Sequence, residues 1–243
     1  MTEEQRTIAS NIRRIRERIT ESAQRAGRSA ENIALIAITK YANLAQTRAV
    51  ALAGLKNLGE SRPQVLWEKS SALEGEAIRW HLVGHLQRNK VAKTIVTTNL
   101  IHSVDSIRLL QAIETESSKV NRITDILLEI NISGDEDKHG FSPDSMKHAI
   151  ESTSNLNHVR VHGFMAMASR EGGRKQAQVD FAAVRELRDK LSENLPKQYF
   201  RLHFWPPRPS SDPPLRTLTK TRLGKLGTPC IRLLSSRESV MLQ

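Results

Sequence analysis

Polar side chains with the chemistry of a functional site follow several short apolar segments of the sequence. Lys40 stands at the end of the first of these segments, directly after 33–39. A lysine in such a position is either desolvated, so that its amine attacks carbonyl carbon and forms Schiff bases, or its stem carries the ammonium out to water. The position of Lys40 alone leaves both alternatives open.

Other candidate groups follow the later apolar segments in the same way. They are Ser61 after the second segment, His85 after the third, Asp105 after the fourth, and Asn131 and Met165 at the ends of the fifth and sixth. Asn131 either hydrogen-bonds a ligand or caps the end of its strand. A methionine in the place of Met165 is typical of core packing. To work together, these groups need a fold that brings strand ends to one place.

The alternation of short apolar segments with amphipathic ones predicts such a fold. Six predicted strands lie at 33–39, 55–58, 80–83, 100–104, 125–132 and 159–165, and a seventh begins at 199–204. Strands that alternate with helices indicate a parallel sheet with right-handed crossovers, and the number of units favours a closed (β/α)8 TIM-type barrel. Sites in these barrels lie at the carboxyl ends of the strands, where the candidate groups stand.

Helices are predicted before and between these strands. Residues 3–26 carry apolar side chains at spacings of three and four, which is typical of an amphipathic helix, and Gly27 ends it. The later helices are expected at 43–53, through Leu66 and Leu73, and at 86–97, 106–117, 142–154 and 175–194. The first helix therefore precedes the barrel, and the others form its outer layer.

Composition excludes several other classes of protein. The chain has 243 residues and a single cysteine, Cys230, so an intramolecular disulfide and a cysteine zinc site are excluded. No apolar run approaches the roughly 20 residues that span a bilayer, and the N-terminus lacks the pattern of a secretory signal. We therefore expect a cytoplasmic protein with no membrane partner.

The segment 200–243 differs from the rest of the chain. It holds 8 basic and 2 acidic residues and six of the nine prolines, so it carries more than half of the net charge of +11. We divide the chain into a barrel at 1–199 and an atypical basic, proline-rich tail at 200–243. The tail is interpreted either as a translation in the wrong frame or as a divergent, disordered extension. Its few aromatic residues argue against non-specific nucleic-acid binding.

Two patterns resemble metal sites. His81 and His85 are four residues apart, but one lies on a predicted strand and the other follows a glycine, so their side chains are expected on different faces. Residues 135–140 place acids and a glycine as a calcium loop does, but Met146 stands where the bidentate acid belongs. We therefore expect no metal site.

Five motifs in a fixed order carry a resemblance to a known family. They are Leu35-Ile-Ala-Ile-Thr-Lys40, Leu58-Gly-Glu-Ser-Arg62, Trp80-His-Leu-Val-Gly-His-Leu-Gln-Arg-Asn-Lys90, Ile101-His-Ser-Val-Asp-Ser106, and Glu129-Ile-Asn-Ile-Ser133 followed by Lys138-His-Gly140. From the N-terminal helix to about residue 198, the chain resembles the pyridoxal 5′-phosphate (PLP) homeostasis protein family, the YggS/PROSC group. The third motif is the most specific of the five.

The resemblance implies a barrel similar to the N-terminal domain of alanine racemase, with PLP held as a Schiff base on Lys40. It places Met165 near the cofactor and Asn131 in the motif of the fifth strand. Ser61 stands where the family usually has asparagine, and serine keeps a hydrogen-bonding group with a shorter reach. The resemblance also implies a non-catalytic role in buffering or supplying PLP, and we expect a monomer whose partners are PLP and PLP-dependent apoenzymes.

A PLP-dependent amino-acid racemase of related fold is the alternative function. Such racemases take a second base from a further domain, for which this chain has no room, and its two tyrosines are Tyr41 and Tyr199. The family's last two strand motifs are also missing from 200–243, and Pro206 and Pro207 remove N–H donors where phosphate-binding loops belong. The last strands of the predicted barrel are therefore in doubt, and loss of the eighth would leave the barrel open, with unpaired edges on its first and seventh strands.

Overall fold

The computed structural model describes residues 2–27, 29–135, 138–169, 173–194, 230–235 and 238–241. Its helices are α1 (Glu3–Arg25), α2 (Leu44–Leu52), α3 (Pro63–Ala72), α4 (Val91–Thr97), α5 (Ile107–Lys119), α6 (Met146–Glu151) and α7 (Gly173–Asn194). Its strands are β1 (Ile33–Ile38), β2 (Asn57–Glu60), β3 (Arg79–Leu82), β4 (Leu100–Val104), β5 (Thr124–Ile130), β6 (Val159–Met167), β7 (Cys230–Ser235) and β8 (Glu238–Met241). None of the described helices is both long and apolar enough to cross a membrane.

Helix α1 begins and ends as the sequence predicts. Thr2 caps it, because the Thr2 hydroxyl accepts from the Gln5 amide while the Gln5 side chain accepts from the Thr2 amide. The buried side of the helix carries the predicted apolar residues, namely Ile8, Ile12, Ile15, Ile19 and Ala23. Gly27 follows the last turn with a φ of 65°, a left-handed conformation that glycine adopts without strain.

Strands β1 to β6 pair in parallel in the order of the chain. Strand β1 is a continuous apolar run, as expected where both faces of a parallel sheet are covered, whereas β2 and β3 also carry polar residues. Ile36, Leu58, Leu82, Ile101 and Leu128, from five successive strands, are fully buried. This sheet aligns the carboxyl ends of the strands at one mouth of the barrel.

The last two strands, which the sequence left in doubt, close the barrel, so β1 has no open edge. The full strand order is β1-β2-β3-β4-β5-β6-β8-β7. Strand β8 runs parallel to β6, whereas β7 runs antiparallel to both β8 and β1. The edge of β1 is paired over its whole length, from Ile33 opposite Ser235 to Ile38 opposite Cys230. The predicted seventh strand at 199–204 lies outside the described residues.

Most elements differ from their predicted bounds by one or two residues, α4 begins five residues later than predicted, and α6 and β2 differ for local reasons. The helix predicted at 142–154 is reduced to α6, because Ser142 and Ser145 hydrogen-bond each other's backbone in the turn that precedes it. Strand β2 ends later than predicted, at Glu60, because its register against β3 continues to that residue. The second shift matters for the site, since it makes Glu60 a strand residue.

Candidate functional site

Lys40 lies in the turn that follows β1, at the mouth of the barrel. Its side chain is half-buried, and its Nζ atom lies 4.8 Å from the centroid of the Tyr41 ring. Tyr41 itself is 80% exposed. The ammonium thus rests over an aromatic face at the edge of solvent, a contact that is worth about 0.5–1 kcal/mol at exposed sites. The amine is therefore accessible from the mouth.

A second lysine, Lys69 of α3, anchors this turn from below. Its Nζ atom donates to the backbone oxygens of Thr39 at 2.8 Å and of Ala42 at 2.9 Å, and to Glu60 Oε1 at 2.6 Å. The first two acceptors flank the pair Lys40–Tyr41 in the sequence. Since an ammonium has three donors, Lys69 is fully hydrogen-bonded as a cation and has no free electron pair for a carbonyl. Among the described residues, Lys40 Nζ makes no hydrogen bond of this kind, so the two lysines differ in their surroundings.

Glu60, the last residue of β2, completes this buried cluster. Only 1% of its side chain is exposed, and 10% of that of Lys69. Besides the lysine, Glu60 Oε1 accepts a hydrogen bond from the Thr39 hydroxyl at 2.7 Å. A buried carboxylate needs such partners, because its desolvation is not offset otherwise. The cluster joins the end of β1, the end of β2 and α3 into one rigid support for Lys40.

Sequence reasoning missed Lys69. Glu60 belongs to the second sequence motif, but its type and position do not by themselves predict a functional role. The available signal was the helical period: Lys69 stands three residues after the buried Leu66, on the side of α3 that faces the barrel. A lysine on an apolar helix face requires a buried acceptor, and Glu60 is that acceptor.

Ser61 follows β2 and lies next to the turn after β3. The side chain is half-buried. A Cβ atom placed on Gly84 would lie 2.1 Å from the Ser61 backbone oxygen, so only glycine fits at position 84. Because β1 and β2 are adjacent, with Ile38 opposite Gly59, Lys40 and Ser61 follow neighbouring strands on the same side of the mouth.

Asn131 and Met165 belong to the opposite pair of neighbouring strands, β5 and β6. Asn131 Nδ2 donates to the Asp135 backbone oxygen at 2.7 Å, and its Oδ1 accepts from the Ser133 hydroxyl at 3.1 Å, so the amide is bonded within its own loop. Met165 is 1% exposed within β6. The structure therefore places the four predicted site residues in two pairs, at β1–β2 and at β5–β6.

The histidines separate as the sequence predicts. His81 is buried in the barrel, with its Nδ1 atom 2.8 Å from His102 Nε2, whereas His85 lies in the loop after β3 and bonds Asp105. Lys138, in the loop compared with a calcium site, donates to the Ser133 hydroxyl. Residues 136 and 137 of that loop lie outside the described residues.

Comparison with known proteins agrees with this architecture. Residues 5–203 match the family model described as "Alanine racemase, N-terminal domain", which defines the class of barrel. The "Pyridoxal phosphate homeostasis protein" of Aquifex aeolicus is 34% identical over 180 residues, which are 74% of this chain and 79% of that protein. The chain belongs to the alanine racemase N-terminal domain family and, within it, to the group of PLP homeostasis proteins.

Solved structures show the same fold. An "unknown protein from Bifidobacterium adolescentis" superposes with a TM-score of 0.76 at 27% identity, over 84% of this chain and 87% of that one. PipY of Synechococcus elongatus, whose structure is described "with PLP bound", superposes with a TM-score of 0.60 at 27% identity, over 65% of this chain and 74% of that one. The barrel of this chain is therefore similar to one that has been seen with the cofactor.

Proposed function

We propose that this protein binds PLP and takes part in PLP homeostasis, and that Lys40 Nζ is the atom that holds the cofactor. The observation that carries the proposal is the anchored turn: Lys69 bonds the backbone on both sides of Lys40 and leaves the Lys40 amine at the mouth. The names of the relatives support the same cofactor. When bound, PLP supplies an aldehyde that condenses reversibly with an amine, with release of water.

The residues around Lys40 would hold and orient the cofactor rather than transform a substrate. Ser61 stands beside Lys40 at the mouth, Asn131 holds the loop after β5 through its side-chain amide, and Met165 packs between β5 and β8 beneath that side of the mouth. A reversible bond to Lys40 would keep a reactive aldehyde from other amines and still release it. We propose a non-catalytic carrier for this reason, and the homeostasis names of the relatives support it.

The remaining features of the proposal concern the whole chain. We propose that 1–199 forms the PLP-binding unit, that 200–243 is atypical in origin, and that the protein acts as a cytoplasmic monomer. Apoenzymes that depend on PLP are the proposed recipients. Racemisation of alanine at an enzymatic rate by the purified protein would replace this carrier function with the racemase alternative.

Borohydride reduction in the presence of PLP, followed by peptide mass mapping, tests the assignment of Lys40. We expect one pyridoxyl adduct, confined to Lys40 and absent from Lys40→Ala. Lys93→Ala is the matched control, because Lys93 Nζ also lies over an aromatic ring, 4.6 Å from the centroid of Trp67, but on the outer layer of helices. Adducts scattered over exposed lysines, or unchanged in Lys40→Ala, would show that the protein has no specific site at this position.

A further inference from the structure

Three metal-binding side chains from separate loops converge at the mouth of the barrel, away from Lys40. His85 follows β3, Asp105 follows β4, and His139 follows β5. His85 Nδ1 lies 2.9 Å from Asp105 Oδ2, and His139 Nδ1 lies 3.8 Å from the same oxygen. One ligand atom from each residue lies within 4.8 Å of the other two. In the barrel order, these loops stand two to four strands away from β1.

The Asp105 carboxylate lies between the two histidines. Its side chain is only 9% exposed, and among the described residues its ion pairs are with the two histidines and with no lysine or arginine. The distance to His85 is that of a hydrogen bond, but the distance to His139 is too long for one. A carboxylate with so little exposure needs donors or positive charge around it, which a ring N–H of His85 supplies and which a metal ion in its place would also supply.

We propose that His85, Asp105 and His139 bind a divalent transition metal ion of the zinc type. Two imidazole nitrogens and a carboxylate oxygen are a ligand set that zinc accepts, and neighbouring ligand atoms in a tetrahedral zinc site lie roughly 3.4 Å apart. The observed separations of 2.9 and 3.8 Å bracket that value. The ion displaces the proton shared by His85 and Asp105, and three protein ligands leave a fourth position open.

Metal binding requires one movement. The rings of His85 and His139 are stacked, with centroids 4.3 Å apart and an angle of 19° between their planes, so their in-plane electron pairs do not converge on one point. The side chain of His139 is 62% exposed, so its ring is free to turn toward the ion. Beside the cluster, His85 and Asp105 line a cavity of about 610 Å³ that also borders Arg88 and Arg108. This cavity has room for a water molecule or an anionic ligand at the open position.

Sequence reasoning expected no metal site because it considered His81 and His85 as the pair of ligands. The structure places His81 with His102 inside the barrel and gives His85 two other partners. Asp105 and His139 are 20 and 54 residues away from His85 in the chain, so no local spacing predicts them as ligands of the same metal ion. The inference is independent of PLP binding, since it involves neither Lys40 nor the cluster beneath it.

Isothermal titration of the untagged protein with Zn²⁺, in a buffer without phosphate, tests this site. We expect binding of one equivalent, weakened by about tenfold or more in His85→Ala, Asp105→Asn and His139→Ala. His148→Ala, at an exposed histidine of α6 outside the cluster, is the matched control and keeps full affinity. Cys230→Ser also keeps it, which excludes the single thiol as the ligand.

Two further measurements keep the outcome unambiguous. The exposed position of His139 makes His139→Ala the variant least prone to unfolding, and circular dichroism checks the fold of each variant. Co²⁺ in place of Zn²⁺ should give visible absorption bands that the same three substitutions remove. Absence of stoichiometric binding, or binding that His139→Ala and His85→Ala leave unchanged, would overturn the proposal and leave His85–Asp105 as an ordinary hydrogen-bonded pair.

Discussion

At the scale of single residues, two lysines have different roles in the site. Lys69 is buried and bonded to three oxygens, whereas Lys40 is half-buried and bears its amine at the mouth. The buried lysine therefore fixes the backbone from which the reactive one extends. A structural role of this kind is detectable only when PLP binding and stability are measured on the same variants.

Replacement of Lys69 by methionine should lower both stability and PLP binding. The change leaves Glu60 buried without its cation, and breaking a buried pair in this way costs about 3–5 kcal/mol of unfolding free energy. The double variant Lys69→Met/Glu60→Gln should recover part of that loss, because no unpaired charge remains. Urea unfolding measures the stability, and the borohydride assay measures the yield of adduct at Lys40.

The double variant separates positioning from stability. If Lys69 positions the turn, the double variant should still give a reduced yield at Lys40 even where its stability is close to that of the parent protein. Lys93→Met serves as the control for removal of a lysine charge. Wild-type yield in a stable double variant would assign Lys69 a purely structural role.

At the scale of secondary-structure elements, an ion-pair cluster joins β5 to β6 at the other end of the barrel. Arg160 donates to both oxygens of Asp125, at 2.5 and 3.0 Å, and His162 Nε2 lies 2.8 Å from Asp125 Oδ1. Burial alone would raise the pKa of Asp125, but the hydrogen bonds and charges of His162 and Arg160 outweigh it and hold the pKa below its usual value. The charged carboxylate is thus the form that ties the two strands together.

Replacement of Asp125 by asparagine should change the acid dependence of stability. Because the pKa of Asp125 is lower in the folded state, its contribution is fully present above the unfolded-state pKa of about 3.9 and is lost as the pH falls through the folded-state pKa. The difference in unfolding free energy between the parent protein and Asp125→Asn should therefore narrow as the pH is lowered below about 4. Urea titrations across that range measure it.

Asp144→Asn is the control, since Asp144 is an exposed carboxylate just before α6. Its effect on unfolding free energy should be small and nearly constant with pH. If the effect of Asp125→Asn on the unfolding free energy is equally constant with pH, the pKa of Asp125 is not lowered by folding.

Apolar periodicity predicts some of the secondary-structure elements but not all of them. Helix α1 and strands β1 and β4 follow from apolar periodicity, because their patterns are set by burial on one side of a helix or both sides of a strand. The contraction of α6 was not predicted, because the serine turn that shortens it depends on side-chain bonds rather than on hydrophobicity. Lys40 was recognised from its place at a strand end, but its support by Lys69 requires the packing of α3 on the barrel.

At the scale of the whole molecule, the barrel depends on a hairpin from the atypical segment. Strands β7 and β8 fill the gap between β6 and β1, although β7 runs against the direction of the other strands. The register of β7 covers all six residues of β1. The segment 230–241 thus covers a strand edge that would otherwise be open to other chains.

Deletion of 230–243 should lower the melting temperature and promote aggregation. The deletion exposes the N–H and C=O groups along β1, whose residues are apolar and β-prone, and such an edge pairs readily with other chains. Leu233→Pro is the single-site counterpart, because proline has no N–H and disfavours the middle of a strand, here opposite Leu35. Calorimetry and light scattering measure the two effects; a deletion that melts and scatters like the intact chain would mean that the hairpin adds nothing to closure.

The composition of 200–243 leads to a separate prediction about the gene. If this segment is translated in the wrong frame, sequencing of genomic DNA around codon 200 should reveal a single-base shift that restores the family's last two strand motifs. A coding sequence in which no such shift restores them would establish the tail as the natural one. If the single-base shift is found, the protein with the restored frame becomes the reference for PLP affinity.

During synthesis on the ribosome, β1 emerges long before β7, the strand that covers its free edge. The two strands are about 200 residues apart in the chain, so at roughly 5–20 residues per second the first waits about 10–40 s for the second to be synthesised. During that interval β1 and β2 can pair, but the free side of β1 has no native partner. The nascent chain therefore exposes an unpaired strand edge for most of its synthesis. Chaperones that bind extended apolar segments are expected to bind it at Ile33–Ile38.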